Sequence, residues 1–421
     1  MFNNKFILLF IAFGLVLLLN AQKINLTNVD RQKSLENRSV KELIKIITLS
    51  QIHEQWDGEY KKGSWDSVKI SKRPKFAYWS YPTGVTMYAM QRAYGILKDK
   101  KIIDYISKYN RIVANQYEYL RWQKYTFGTI YRTEGLGKLW RLNMLDDCGA
   151  MGTEILESVM YHNGKITPYL NELIEIIGNY VTNVQSRLDD GTFWRPKSPN
   201  SPSIWADDLY MSLPFLIKWS EYKKNKDFID DAVFQIKSYA SYLQDENDGI
   251  WYHGYYVEKK EHTCCKWGRG NGWVAVAVAE VLSVLPEEHR DYKKILEIYK
   301  KQMEGIRRYQ EEDGLWHQVL DHPELSFGTE TSCSAQFTYA IARGINKGWL
   351  DKSYITVINK AVKGLKKRIS DKGEIIKVCK STSLGDDLEY YNNRPVRDND
   401  YHGAGLMLLA LTEVYNFPEF K

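Results

Sequence analysis

The chain has 421 residues, 44% of them hydrophobic, and its 58 Lys and Arg against 52 Asp and Glu leave a formal net charge of +6. That much apolar sequence can build a large core, so a disordered chain is excluded. The lysines are scattered rather than blocked, and no nucleic-acid motif is present, so a nucleic-acid partner is not expected. Aromatic residues make up 14% of the chain, with 13 Trp and 30 Tyr, a supply that suits stacking on sugar C–H faces as well as ordinary packing.

The first element is MFNNKFILLFIAFGLVLLLNAQ. One Lys precedes an apolar run from Phe6 to Leu19, and small Ala21 follows. This pattern predicts a secretory signal peptide over 1–21, cleaved after Ala21. The run is short for a membrane span, and no Cys follows it to carry a lipid anchor. The mature protein is expected as a single domain over 22–421, exported to the periplasm or secreted, with no membrane attachment after cleavage.

From there two kinds of segment alternate. Val40–Glu54, Lys101–Tyr119, Ile166–Arg187, Asp227–Gln244, Tyr292–Tyr309 and Ser353–Ile369 carry apolar residues at helical spacing with charge opposite, and read as surface helices. Segments starting at Trp79, Leu145, Ile204, Trp267, Glu330 and Asn399 are apolar or small nearly all round, and read as buried helices. Asp-Gly turns running into an aromatic follow three of the surface helices, at Asp190, Asp248 and Asp313, with a looser copy at Asp371. Six outer and six inner helices in alternation predict an all-α fold, the (α/α)6 barrel, closed because no polar caps mark the ends of an open solenoid.

In such a barrel all inner helices start at one end. The loops there carry two acid pairs, Asp146-Asp147 and Asp207-Asp208, with Trp79, Tyr81, Trp205, His253, Trp267, Arg269, Trp273, Asp400 and His402. One acid can cap a helix, but two neighbours lie about 100° apart and cannot share one cap. Asp147 is taken to face the pocket, because Gly149 leaves room beside it; capping by both acids is the alternative. Arg269, between glycines in GRGNG, can fork onto a carboxylate, or pair with Glu330 or an Asp. The histidines read equally as acid/base or structural groups, and the tryptophans as sugar platforms or core. Paired carboxylates with an Arg and six helix N-termini point to a sugar that is itself anionic. The five Cys match no metal or redox spacing, and neither metal nor cofactor is expected.

At these residues the chain resembles glycoside hydrolase family 105, the unsaturated rhamnogalacturonyl hydrolases, and more distantly family 88, the unsaturated glucuronyl hydrolases. The shared motifs are LDDCGAMG, WADDLYMSLPFL, YHGY, WGRGNGW, GLWHQVLD with ETSCSA, and NDYHGAG, in order along nearly the whole mature chain. The resemblance implies an (α/α)6 barrel and an exo-acting hydrolase that removes the Δ4,5-unsaturated uronic acid left by polysaccharide lyases, by hydrating C4=C5. It matches Asp208, six residues before Pro214, to the general acid/base and Asp147 to the second pocket acid. Arg269, Trp273 and His253 match the sugar pocket, where Trp205, Asp207, Trp79, Trp267 and His402 are expected to bind substrate. Tyr256 stands where an acid is expected after HGY, and the lysine-bearing loop Val257 to Lys266 leaves rhamnose, sulfated rhamnose (as in ulvan), or another leaving sugar open. An α-mannanase-like glycosidase using both Asp207 and Asp208, or a non-catalytic oligosaccharide-binding toroid, are the competing readings.

Overall fold

A computed structural model describes residues 37–53, 55, 60, 62–70, 79–131, 136–198, 201–325 and 328–421. The expected signal peptide lies outside them. Twelve helices build the barrel. The outer six are α1 (Val40–Gln51), α3 (Lys100–Phe127), α5 (Pro168–Asn179), α7 (Asp227–Leu243), α9 (Tyr292–Arg308) and α11 (Ile355–Lys366). The inner six are α2 (Tyr81–Leu97), α4 (Leu145–Tyr161), α6 (Asp208–Lys223), α8 (Gly268–Val284), α10 (Thr331–Asn346) and α12 (Gly403–Val414). Each inner helix packs on the next, and α12 returns to pack on α2, so the ring is closed. No helix among the described residues is long and apolar enough to cross a membrane.

The sequence pattern explains the two shells. On α9 the buried positions Tyr292, Ile295, Ile298, Tyr299, Gln302, Met303 and Ile306 repeat every three or four residues, leaving the lysines to solvent. On α12 every residue from Gly403 to Val414 is buried, because both helix neighbours and an outer layer surround it. Where inner helices touch, glycine permits the approach: a Cβ on Gly149 would stand 1.8 Å from the Met211 carbonyl oxygen of α6. Gly149 therefore serves helix contact, not room in a pocket.

Below the mouth the ring is tied by a buried ionic cluster. Glu280 of α8 receives Arg92 of α2 at 2.8 Å and the hydroxyls of Tyr88 and Tyr339, while Arg343 of α10 pairs with Glu413 of α12 at 2.7 Å. Burial raises the Glu280 carboxyl, but Arg92 and Arg343 outweigh it and hold it down at about 2.

The Asp-Gly turns register the outer helices. Gly191, Gly249, Gly314 and Gly373 all have positive φ, from 77° to 94°, a region that favours glycine. The last three turns seat their glycines against backbone of the following outer helix: Gly249 on Lys301, Gly314 on Lys360 and Gly373 on Ile46 of α1. The fourth turn meeting the first helix is the outer-shell counterpart of the closure. Gly314→Ala combines a φ of +85° with a Cβ 2.1 Å from the Lys360 carbonyl oxygen. It is expected to destabilise the barrel by at least about 1–2 kcal/mol, read as a lower urea midpoint; an unchanged midpoint would contradict the account of this turn.

Short antiparallel strands decorate the mouth. β1 (Ser203–Trp205) pairs with β2 (Gly254–Tyr256), which pairs with β3 (Glu261–His262). β4 (Trp316–His317) pairs with β5 (Thr329–Glu330), and β6 (Val378–Cys379) with β7 (Val396–Arg397). Of these, β5 runs directly into α10, and β1 ends two residues before α6.

Candidate active site

Six inner-helix N-termini meet at the mouth, and five lack a side-chain cap: those after Ser80, Met144, Asp207, Trp267 and His402. Only α10 is capped, by the Glu330 carboxylate, which accepts from the amides of Ser332 and Cys333. The positive ends of six helix dipoles thus meet at one place, a setting that favours an anion. Neither acid of the Asp207-Asp208 pair caps its helix by side chain.

The two acid pairs divide their work alike. In each, the first acid reaches the mouth and the second is packed away. The Asp207 side chain is 14% exposed and Asp146 21%, against 0% for Asp208 and 2% for Asp147. This reverses the order expected from the sequence. Asp147 is ion-paired with Arg141 at 3.0 Å, and its backbone carbonyl accepts the Trp79 indole N–H. Burial raises the Asp147 carboxyl, with Lys138 and Arg141 opposing. Asp208 accepts from Arg195 through Nε at 3.0 Å and through Nη2. Its carboxyl is pushed up to about 6, by burial first and by Asp146 and Asp207 in addition, with Arg195 pulling the other way. A raised pKa suits an acid/base group, but a proton carrier must first reach its substrate, and both Asp208 oxygens face Arg195 instead.

Arg195 joins the pairs. Its Nη2 lies 2.9 Å from Asp146, and its guanidinium lies 4.3 Å from the Trp205 ring centroid. One cation thus holds two acids from adjacent inner helices and stacks on the indole beside them. Sequence reading passed over Arg195. The signal was present: it follows the first Asp-Gly-x-aromatic turn, DGTFWR, and that turn leads straight to the mouth.

Asp207 has a different partner. His253 Nε2 stands 3.1 Å from its Oδ2, and His253 Nδ1 stands 2.7 Å from the Tyr391 hydroxyl, which in turn accepts from the Gly385 amide at 3.1 Å. A carboxylate only accepts, so the imidazole carries a proton on Nε2 and donates it to Asp207. This fixes the ring and aims Asp207 into the mouth. Burial raises the Asp207 carboxyl, but the His253 hydrogen bond and charge, then Arg195 and Arg269, outweigh it and hold it below the ordinary range.

Arg269 is only 1% exposed. It donates to the carbonyl oxygens of Cys379 and Lys380 and to Ser332, and lies 4.7 Å from the Trp267 ring centroid. The expected open fork is therefore largely occupied by backbone, and the alternative of a direct ion pair is not seen either: no carboxylate among the described residues lies within ion-pair distance of it. Its Nε has no partner. The charge remains as a field, felt by Asp207, Tyr81 and Asp400.

The tryptophans are walls rather than open platforms. Trp79 is fully buried, which removes it from the expected substrate contacts, and Trp267 and Trp273 are nearly so. Trp267 packs on His253 at 4.6 Å, and Trp273 on Tyr210 at 4.5 Å. Trp205, 7% exposed, packs with Tyr256 and Leu384. Tyr256, in place of the expected acid, donates to Asp386 at 2.7 Å, so it ties the 384–386 segment over the mouth. In the unusual loop before α8, Lys266 is engaged below by Asp245 and Asp248, both at 2.7 Å, and is not free for sulfate. All five cysteines are free thiols, with only Cys264 exposed.

The profile of Glycosyl Hydrolase Family 88 matches residues 52–418. The chain belongs to this family. It is a glycoside hydrolase, and the resemblance to families 105 and 88 read from the motifs holds. Among curated relatives, it is 24% identical over 355 residues to an unsaturated rhamnogalacturonyl hydrolase of Bacillus subtilis, covering 82% of this chain and 92% of that one. It is 29% identical over 216 residues to an unsaturated 3S-rhamnoglycuronyl hydrolase of Alteromonas sp., covering 50% of each. A family 105 glycoside hydrolase structure from C. acetobutylicum superposes with a TM-score of 0.71 at 23% identity, over 90% of this chain and 100% of that one. At that identity the likeness shows the fold, the (α/α)6 barrel. Among the residues that meet in this family 88 chain, Tyr391, which holds His253 behind Asp207, lies in a segment left unread in the sequence.

Proposed function

We propose that the enzyme removes a Δ4,5-unsaturated uronic acid from the non-reducing end of lyase-generated oligosaccharides by hydrating C4=C5, and that Asp207 carries the proton. The observation that supports this most is Asp207 itself: a carboxylate open to the mouth, aimed by His253, beside the buried Arg269 and uncapped helix ends that suit a sugar carboxylate. The names of the curated relatives point to the same substrate class.

At rest Asp207 is an ionised carboxylate. A substrate carboxylate entering the field of Arg269 offsets one of the positive charges that, after His253 and Arg195, hold the Asp207 pKa down, and adds a like charge beside it. Both effects load a proton onto Asp207. It then gives that proton to C4, while the π electrons form the new C4–H bond. Water adds its lone pair to C5 and returns a proton to Asp207. The C5 hemiketal opens, and the hemiacetal left at C1 releases the second sugar as an alcohol. Arg195 and Asp208 hold the wall from which Asp207 projects.

The leaving sugar of this reading is rhamnose or a sulfated rhamnose, as in pectin- or ulvan-derived fragments. The test is loss of the ultraviolet absorbance of the conjugated C4=C5 bond on a panel of lyase-generated disaccharides. Decay on at least one uronyl-rhamnose substrate is expected, and binding without decay on the whole panel would favour the non-catalytic toroid. Export belongs to the same reading: mature protein recovered from culture is expected to begin near Gln22, and an intact Met1 on secreted material would overturn it.

A further inference from the structure

The mouth holds a second hydrogen-bonded chain that the mechanism above does not use. Tyr81, the first residue of α2, has its hydroxyl 2.7 Å from His402 Nε2, and His402 Nδ1 lies 2.6 Å from Asp400 Oδ1. The Asp400 carboxylate also accepts the His402 backbone N–H at 3.1 Å, which locks the residue pair at the start of α12. His402 and Asp400 are buried, at 3% and 7% exposure. The Tyr81 ring meets Trp273 edge-on at 6.1 Å and so is fixed from its other side.

The direction of this chain follows from its chemistry. Asp400 can only accept, so the imidazole proton sits on Nδ1. Burial and Arg269 hold His402 down at about 4 against the pull of Asp400, so the ring is neutral and Nε2 is bare. Tyr81 must then donate its only proton to His402. The phenol oxygen keeps its lone pairs as an acceptor, within electrostatic reach of Arg269 first and then of Asp146 and Asp207. A group that meets the Tyr81 oxygen must therefore donate to it.

We infer that Tyr81, held by His402 and Asp400, positions the water that adds to C5: the Tyr81 oxygen accepts one water hydrogen, Asp207 accepts the other, and the water lone pair is left directed at the sugar. This rests on the hydration reading and deepens it. Tyr81 contacts the nucleophile, whereas His402 and Asp400 are positioning residues that set which way the Tyr81 proton points. Bond-making is unchanged: the O–C5 bond forms, and the proton leaves to Asp207, not to Tyr81.

The test is Tyr81→Phe, which keeps the ring against Trp273 and removes only the oxygen. With an unsaturated uronyl disaccharide, kcat is expected to fall about 10²-fold, the cost of a misplaced reactant, with KM within about twofold. The companion pair is His402→Gln, whose amide oxygen can still accept from Tyr81, and His402→Leu, which cannot; Gln should retain at least about tenfold more kcat than Leu. Wild-type kcat in Tyr81→Phe, a change confined to KM, or equal rates for Gln and Leu would each overturn the inference. Wild-type enzyme that leaves the C4=C5 absorbance untouched overturns the hydration reading itself, and this inference with it; an active wild type with an unimpaired Tyr81→Phe overturns the inference alone.

Discussion

Asp207→Asn is expected to lose about 10²–10⁴-fold in kcat/KM on the unsaturated disaccharide, the contribution of a positioned acid/base group. The amide keeps the size of the carboxyl group and can still accept from His253 Nε2, so the site stays assembled and substrate still binds. What disappears is a group that can hold a proton between C4 and water. Asp208→Asn should behave differently. Its amide oxygen still accepts from Arg195, and Arg195 retains Asp146, so the loss should appear more in stability than in turnover. If Asp208→Asn is the inactive variant and Asp207→Asn turns over normally, the order read from sequence is right and the mouth geometry misleads. Equal loss in both, with folding intact by circular dichroism, would favour the mannanase-like use of the pair.

Arg195→Met should give the largest stability effect. Methionine fills much of the arginine volume against Trp205, but Asp208 is then left fully buried with no cation. Removing one partner of a buried pair costs about 3–5 kcal/mol. The pH dependence carries the sign that identifies Asp208. Its folded pKa already lies above the ordinary carboxylate value, at about 6, and losing the opposing Arg195 moves it higher. Between the unfolded and folded values the folded state holds a proton that the unfolded state does not, so stability falls as pH rises through that window. The variant deficit is therefore expected to be largest at neutral pH and to shrink on acidification to about pH 5, opposite to ordinary acid denaturation. Adding Asp208→Asn to the variant should remove most of this pH dependence. Urea midpoints at the two pH values read both effects, and a deficit that grows toward acid would contradict the assignment.

These two variants also mark where sequence reading stops. The barrel was legible because each outer helix is amphipathic at helical period, each inner helix is apolar all round, and Asp-Gly turns punctuate them. The mouth was legible as a place, since WADDLYM, LDDCGAMG and WGRGNGW all open inner helices. The choice within each acid pair was not. Adjacent helix positions differ by about 100°, and which one faces the axis depends on helix phase. That phase is set by contacts such as Gly149 against the Met211 backbone, which pattern alone assigned to the wrong purpose. Arg195 and Tyr391 were missed for a related reason: Arg195 comes from a loop between elements and Tyr391 from the five-residue helix Leu388–Asn392, too short for periodicity to reveal direction. Arg269 was found, but its burial and its use of backbone carbonyls depend on residues more than a hundred positions away.

The most direct test of the central claim is to run the reaction in D₂O and follow the sugar by NMR. The account predicts that wild-type enzyme consumes the C4=C5 bond, places deuterium at C4 as the second sugar is released, and that Asp207→Asn does neither at a comparable rate. Release of the second sugar with C4=C5 intact, meaning direct attack at the anomeric carbon, or deuterium incorporated as fast by Asp207→Asn as by wild type, would contradict it.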